Sequence, residues 1–535
     1  MSILNQEHTR LMESVKELLK NSLSKKSIVL DIWTTPGMKE SYIGGNAYFV
    51  DADFKIRKLF LGLVEMPVGH NAIVVREHAG KLLTNLGIQE SDVFVVITDN
   101  ASNFKRAYSE ALNEKNLVDA ESDELDEDHE NNEEVEEVES NDEDDEVESN
   151  DEDEINDDEV QNELQEVEAL ETEYNGIYPT RLSCAAHDLS LVMSTVFEKK
   201  SILSSSIIKM TKKLISRFKK SHAATKSLAI KTKEVLSKSL VLLLPGPTRW
   251  AGHFYMINRL LKIVNPINEI ALTKGWEILE ERHLKVLRGL HALMKPVADL
   301  LLQSQSEEMG ISKLYFALME MIDTLENLEL EDLTLTSTKS DLQAEIKRRF
   351  ARILDPDSNE FNSLYIKASI LDPQEFLTLE EEKYSIDDYL REMIKESMRL
   401  ECEKNPSQAS DTSNTQDQSS QKSYKDRLIA KRRENLSRCN QNANQEEPIQ
   451  AIIKEYKRMM ESPHVQNLTP LEFWQQHGNG ILAPLKQNAL DLLPVPMTGA
   501  SIERVFSSAS LATKGIKNRS SSNLLRKKLF IHLNN

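Results

Sequence analysis

The chain has 535 residues, enough for two or three domains, and a formal net charge of −23. That charge is concentrated: residues 121–173 hold 30 Asp and Glu and no Lys or Arg, so the remainder carries 88 − 30 = 58 acids against 65 bases, a balance of +7. A uniformly acidic protein is therefore excluded, and an anionic partner stays open. Three widely spaced cysteines, Cys184, Cys402 and Cys439, form no disulfide framework and no paired-Cys zinc module, which fits a reducing compartment. No apolar run approaches the roughly 20 residues of a membrane helix, and the start of the sequence, Met1-Ser-Ile-Leu-Asn-Gln, shows no signal peptide.

In chain order, residues 7–22 read as a helix with Leu11, Val15, Leu18 and Leu19 on one side. Ser27–Thr35 reads as a buried strand, through Ile28, Val29, Leu30 and Ile32. Asp31 breaks that run. A carboxylate in a buried strand calls for a partner, and a metal ion is one such partner. Tyr42–Val50 and Ile56–Val64 form a hairpin across Asp51-Ala-Asp53. Asn71–Leu86 reads as a helix. Ser91–Asp99 is a second buried strand, ending on an acid, and Asn100–Leu112 is its following helix. Three strands, a helix, a strand and a helix, with acids on the first and fourth strands, is the order of an RNase H-like fold.

Residues 119–177 are low in complexity, and Val-Glu-Ser-Asn-Asp-Glu-Asp occurs at 138–144 and again at 147–153. Such a charge density cannot bury enough apolar surface to fold, so the tract reads as a disordered insertion, either a solvated spacer or a mimic offered to a basic partner. Thr180–Cys184 reads as the fifth strand and Ala185–Phe197 as a helix. Residues 199–238 carry twelve Lys or Arg and one acid, Glu234, with an amphipathic helical pattern. Lys212, Lys213, Lys219 and Lys220 lie on its basic face, which is a solvated face or a phosphate-contacting one.

From Phe254 to about Leu400 the period is helical. Leu314, Leu318, Ile322 and Leu325 share a face, as do Leu342, Ile346, Phe350 and Ile353 behind a Ser340-x-x-Gln343 capping box. Residues 403–447 read as a polar and basic linker, with a basic triplet at Lys431-Arg-Arg433. The chain is helical again over 448–535, and Gly499–Ser507 opens a helix carrying Glu503.

Several of these segments together resemble the hAT superfamily of DNA transposases and the host proteins derived from them. Leu30-Asp31-Ile-Trp33-Thr34-Thr35 is similar to the family's first catalytic block, with Tyr42-Ile-Gly44 as its continuation. Thr98-Asp99-Asn100-Ala101-Ser102-Asn103 resembles the second block. Cys184-Ala-Ala-His187 resembles the Cys-x-x-His segment, and Thr248-Arg249-Trp250 the Thr-Arg-Trp block. Leu371-Asp372-Pro373 resembles a late element of the helical part, and Ser501-Ile-Glu503-Arg504-Val-Phe506-Ser507-Ser508 the C-terminal block.

The resemblance implies an α/β RNase H-like catalytic core interrupted by a large all-α insertion, with a C-terminal helical dimerisation region. The expected division is 1–118 and 178–198 for the core, 119–177 for the acidic insertion, and 199–402 for the helical insertion. The linker then covers 403–447, and 448–535 is the dimerisation region carrying the last core helix. It implies Asp31, Asp99 and Glu503 as catalytic ligands of two Mg²⁺ or Mn²⁺ ions, the arrangement that stabilises both oxygens of an in-line phosphoryl displacement. Taken singly, Asp99 reads equally as a helix N-cap and Glu503 as a surface acid.

Arg249 and Trp250 are implied as DNA contacts, Trp250 stacking on an unpaired base. Alternatively they are a salt-bridged helix residue and a core Trp. Cys184 and His187 make no zinc site on their own, and packing near the active site is the expected role; no structural zinc is expected. Val505, Phe506, Leu524, Leu525, Leu529 and Phe530 are the implied dimerisation contacts. The expected partners are DNA and a second copy of the chain in the nucleus, with no membrane and no small-molecule substrate.

Family members usually begin with a BED-type zinc finger, whereas here the first block starts at residue 31 with no Cys before it. A truncated copy or a domesticated derivative is the expectation that follows. Two functions remain: a transposase that cleaves and transfers DNA strands, or a non-enzymatic nuclear protein that dimerises and binds DNA or chromatin.

Overall fold

The computed structural model describes residues 3–34, 40–67, 71–108, 179–200, 202–245, 251–306, 309–404, 446–513 and 522–534. The acidic tract 119–177, most of the 403–447 linker with Lys431-Arg-Arg433, and Arg249 and Trp250 lie outside these residues.

Five strands form one mixed sheet: β1 Lys26–Thr34, β2 Ser41–Val50, β3 Ile56–Met66, β4 Val93–Thr98 and β5 Thr180–Ser183. Their order is β3-β2-β1-β4-β5. The first three pair antiparallel, while β4 runs parallel to β1 and β5 parallel to β4. The central strands are largely buried, which is why they are rich in apolar residues. Ile28 and Val29 are fully buried, and β2 is buried at every position after Ser41.

The β2–β3 hairpin closes around Asp51. Its carboxylate accepts the Asp53 and Lys55 N–H groups at 2.9 Å and the Arg57 guanidinium at 2.5 Å, while Phe54 takes a left-handed φ of 58°. A bulge opposite Gly45 places Gly62 at φ 118°, a conformation that excludes a side chain and bends the edge of the sheet.

Helices cover the sheet. Ile3–Lys20 buries Leu11, Val15 and Leu19, leaving Leu18 exposed. It packs against the C-terminal helix Ser522–Asn534, which also lies along β3. Ala72–Asn85 starts at Asn71, whose side chain accepts the Val74 N–H at 2.9 Å. The fourth strand begins at Val93, after a turn of 3₁₀ helix over Glu90–Asp92. Its following helix is Ser102–Ala107.

Two expectations need correction. The basic stretch is two helices, Ser206–Lys220 and His222–Leu236. Ser221 breaks them with extended backbone, and its hydroxyl accepts the Ala224 N–H at 3.3 Å. Ser340 caps nothing: it sits inside the helix Thr336–Arg349, with its hydroxyl turned back to the Thr336 carbonyl. The entrance to that helix is made earlier, where Asp332 caps a 3₁₀ turn through the Thr334 N–H.

The helical part is joined to the C-terminal segment at several places, two of them hydrogen-bonded joints. Trp474, fully buried, donates to the Leu371 carbonyl at 2.8 Å, and the Tyr456 hydroxyl donates to the Ile370 carbonyl at 2.6 Å. Farther on, Ile311 N–H donates to the Val495 carbonyl at 3.0 Å, and the Thr498 hydroxyl to the Ser304 carbonyl at 3.1 Å. That second joint lies just before the helix Ala500–Thr513, which carries Glu503. No helix among the described residues is long and apolar enough to cross a membrane.

Candidate functional site

Sheet register determines where the acids lie. Val29 pairs with Ile97 in the parallel β1–β4 ladder. Two residues farther along each strand come Asp31 and Asp99, on the same face and towards the same end of two neighbouring interior strands. Asp31 is half-buried and its carboxylate accepts the N–H of Ile32 at 2.8 Å. Asp99 stands at the end of β4, where its carboxylate accepts the Ala101 N–H at 3.2 Å.

The Glu503 helix is laid across this end by contacts to three strands' worth of chain. The Gly499 N–H donates to Cys184 Sγ at 3.1 Å, directly after β5, and Ala185 N–H donates to the Met497 carbonyl at 2.9 Å. Asn46 of β2 donates to the Ser501 hydroxyl at 2.9 Å in a buried bond. Phe506 stacks on Trp33 of β1, with ring centroids 5.9 Å apart, and Trp33 stacks in turn on Tyr42 at the same separation. These bonds bring Glu503 of a late helix to the end of β1.

The electrostatics follow from that convergence. Burial, then the Asp99 charge, then the Glu503 charge push the Asp31 carboxyl up to about 8, against one N–H bond from Ile32 that lowers it. Desolvation also raises Glu503, although by surface area the residue is exposed; His187 and Arg504 pull it down and Asp99 adds to the rise. Carboxylates are hard-oxygen donors of the kind Mg²⁺ takes. Among the described residues, however, no three or more His, Cys, Asp or Glu side chains stand in an arrangement that holds a metal ion. The donor chemistry fits a hard divalent cation, while the positions as they stand fall short of a closed ligand shell.

Cys184 is buried, burial pushes its thiol up to about 12, and its sulfur accepts the Gly499 N–H. His187 is half-buried beside Glu503. Of the basic side chains, Lys213, Lys219 and Lys220 are exposed on Ser206–Lys220. Lys212 is half-buried; it lies close enough to His253 to add to the burial that takes that imidazole down to about 4.

Four of the side chains expected at a dimer contact are spent inside this chain. Val505, Phe506, Leu529 and Phe530 are all buried, and Phe530 packs on Phe60 and His8. An aromatic ring on an amphipathic helix fills whichever face is nearest, and here the sheet is nearest. Leu524 and Leu525 are half-buried.

Sequence reasoning missed Arg181, Asp188 and Arg352, which form a buried ionic cluster behind Asp99. A signal existed for Asp188, a charge placed inside a largely apolar helix, but not for Arg181 in the polar strand Thr180–Ser183. Arg352, in a basic stretch far along the chain, gave none.

Residues 29–124 match the ZBED1 RNase-like domain, and residues 453–531 match the hAT family C-terminal dimerisation region. A 99-residue segment is 32% identical to tpeD of Talaromyces stipitatus, whose name describes a transcriptional regulator; the match covers 17% of this chain and 12% of that protein. A 217-residue segment is 22% identical to zinc finger BED domain-containing protein 4 of Homo sapiens, covering 40% of this chain and 18% of that one. The chain thus aligns with less than a fifth of the length of either relative.

Proposed function

Since this chain is a hAT-type transposase-derived protein with a C-terminal dimerisation region, we propose that Asp31, Asp99 and Glu503 form a DDE-type site for DNA cleavage and strand transfer. What supports the reading is that Asp31 and Asp99 stand at matching positions of the neighbouring strands β1 and β4, and that the charge of Glu503, on a helix some 470 residues later, reaches Asp31. The long helical stretch between β5 and Glu503 is then an insertion within the core.

Asp31, Asp99 and Glu503 would be the residues that hold Mg²⁺ or Mn²⁺ ions. The ions would supply positive charge to the phosphate oxygens. The protein's own contribution is to hold the three acids at one end of the sheet. Trp33, Phe506, Asn46 and Ser501 fix the helix of Glu503, and Ile32 N–H orients Asp31. Lys213, Lys219 and Lys220 offer exposed charge for the DNA backbone. Nuclear residence accords with this reading and with the names of the two relatives.

A nicking and strand-transfer assay on hairpin-ended DNA with Mn²⁺, run beside Asp31→Asn, tests it. Cleavage by the parent chain and at least about a thousandfold less by the variant is expected. Equal activity of the two, or none from a folded dimer, would overturn the enzyme reading. A second reading has its own observation: no closed metal arrangement occurs among the described residues. On that reading the chain is a domesticated, non-enzymatic nuclear protein that dimerises and binds DNA, and the same assay separates the two.

A further inference from the structure

The loop that carries Asp99 is tied down from a distant part of the chain. Asn100 follows Asp99 directly, and its amide is fully engaged. The nitrogen donates to Asp188 Oδ1 at 2.5 Å; the oxygen accepts from Arg181 at 2.9 Å and from the Ser183 hydroxyl at 2.8 Å. Arg181 also donates to the Thr98 hydroxyl at 2.7 Å and to the Asp99 carbonyl. The Asp99 carbonyl and the side chains of both its neighbours are thereby held.

The anchor of this network is Asp188, only 2% exposed. Its second oxygen accepts from Arg352 at 2.5 Å and lies 2.8 Å from the Ser183 hydroxyl, whose single proton is shared between Asp188 and Asn100. Arg352 belongs to the short helix Ala351–Leu354, 164 residues farther along. Burial works against its charge, but Tyr365 and Asp188 more than offset that, and its pKa ends above the ordinary guanidinium value. Arg349, one turn earlier, donates to the Thr195 hydroxyl, so the same corner of the helical part is fastened twice to the segment after β5.

A buried ion pair is a weak source of stability, and apolar side chains of similar volume hold two elements together as well. Apolar side chains cannot, however, orient the Asn100 amide. The network does this, and it ends at the residue next to Asp99.

We propose that Arg352 and Asp188 are positioning residues, which pass the docking of the helical part to the loop that sets Asp99. The acid site is then complete only when that part is packed against the sheet. The proposal rests on the catalytic reading of Asp99 given above.

The test uses the full chain with Arg352→Met, Arg352→Lys and Asp188→Asn. Amide exchange is followed in metal-free protein over residues 98–104, with residues 45–50 of β2 as the control for general unfolding. Mn²⁺ affinity is read by electron paramagnetic resonance. In Arg352→Met the 98–104 amides should exchange about tenfold faster with β2 unchanged, and Mn²⁺ should bind about tenfold more weakly. Arg352→Lys should restore part of both, and Asp188→Asn combined with Arg352→Met should add nothing further.

Unchanged exchange over 98–104 in Arg352→Met overturns the link, as does faster exchange with unaltered Mn²⁺ affinity. Should Arg352→Met also lose β2 protection, Ser183→Ala gives the same local readout, because it removes the hydroxyl shared between Asp188 and Asn100 without touching a charge. If the unaltered chain binds no Mn²⁺, the catalytic reading falls, and the exchange measurement still decides whether Arg352 holds the loop.

Discussion

Gly44 faces Asp31 across the β1–β2 pair, and the ring of Phe506 lies where a Gly44 side chain would be. A Cβ there would meet Leu63 Cδ2 at 2.8 Å and Phe506 at 3.0 Å. The absence of one carbon on β2 is thus what lets the Glu503 helix settle against the strand of Asp31.

Gly44→Ala should therefore push Phe506 away from Trp33 and loosen the acid site. Overpacking of this kind costs about 1–3 kcal/mol. Chemical denaturation checks the cost, and Trp33 fluorescence in a background free of the other tryptophans checks the displaced ring. A variant as stable as the parent, with Trp33 emission unmoved, would mean that the ring gives way without strain.

Phe506→Ala and Phe530→Ala probe whether these rings belong to one chain or to the contact between two. Both are buried within a single chain. Each should cost about 3–5 kcal/mol of folding stability. The loss should be the same at low and high protein concentration, because an intrachain contact does not follow mass action. A loss that disappears at high concentration would return these side chains to the dimer contact.

The three exposed lysines make a separate, electrostatic prediction. Lys213→Ala, Lys219→Ala and Lys220→Ala together should weaken DNA binding with little dependence on sequence. If each lysine meets one phosphate, the slope of log affinity against log salt should become shallower by about 3. Fluorescence anisotropy across a salt series measures this. An unaltered slope would assign the lysines to a solvated face.

How much of this was visible in the sequence depends on the range of the interaction. The strands were legible because β1, β2 and β4 are largely buried and so are rich in apolar residues. Asp31 was conspicuous for the same reason. The break at Ser221 and the interior position of Ser340 were not legible, since Ser serves as cap, turn or helix-surface residue with little difference in local pattern. Arg352 was the least legible of all: nothing near it in the chain says that its partner is Asp188. Long-range ion pairs leave no periodic trace, whereas a misplaced acid in an apolar strand does.

Glu375 offers a test of the helical part by pH. It lies in the joint between that part and the C-terminal segment, close to fully buried Asp372, and one of its carboxylate oxygens has no hydrogen-bond partner. Burial first, then the Asp372 charge, raise its carboxyl from 4.5 to about 7, with Lys313 pulling the other way. The folded chain therefore holds this proton more tightly than the unfolded chain does. Below about pH 4.5 both states are protonated and the site costs nothing; as the pH rises through 7, folding must keep a charge where it is disfavoured, and stability falls. Glu375→Gln removes that cost. With its partial exposure allowed for, the variant should be more stable than the parent by about 1–2 kcal/mol at pH 8 and equal to it near pH 4.5. Urea denaturation at both pH values measures the difference, and a gain of the same size at each would show that packing, not charge, is what the glutamine changes.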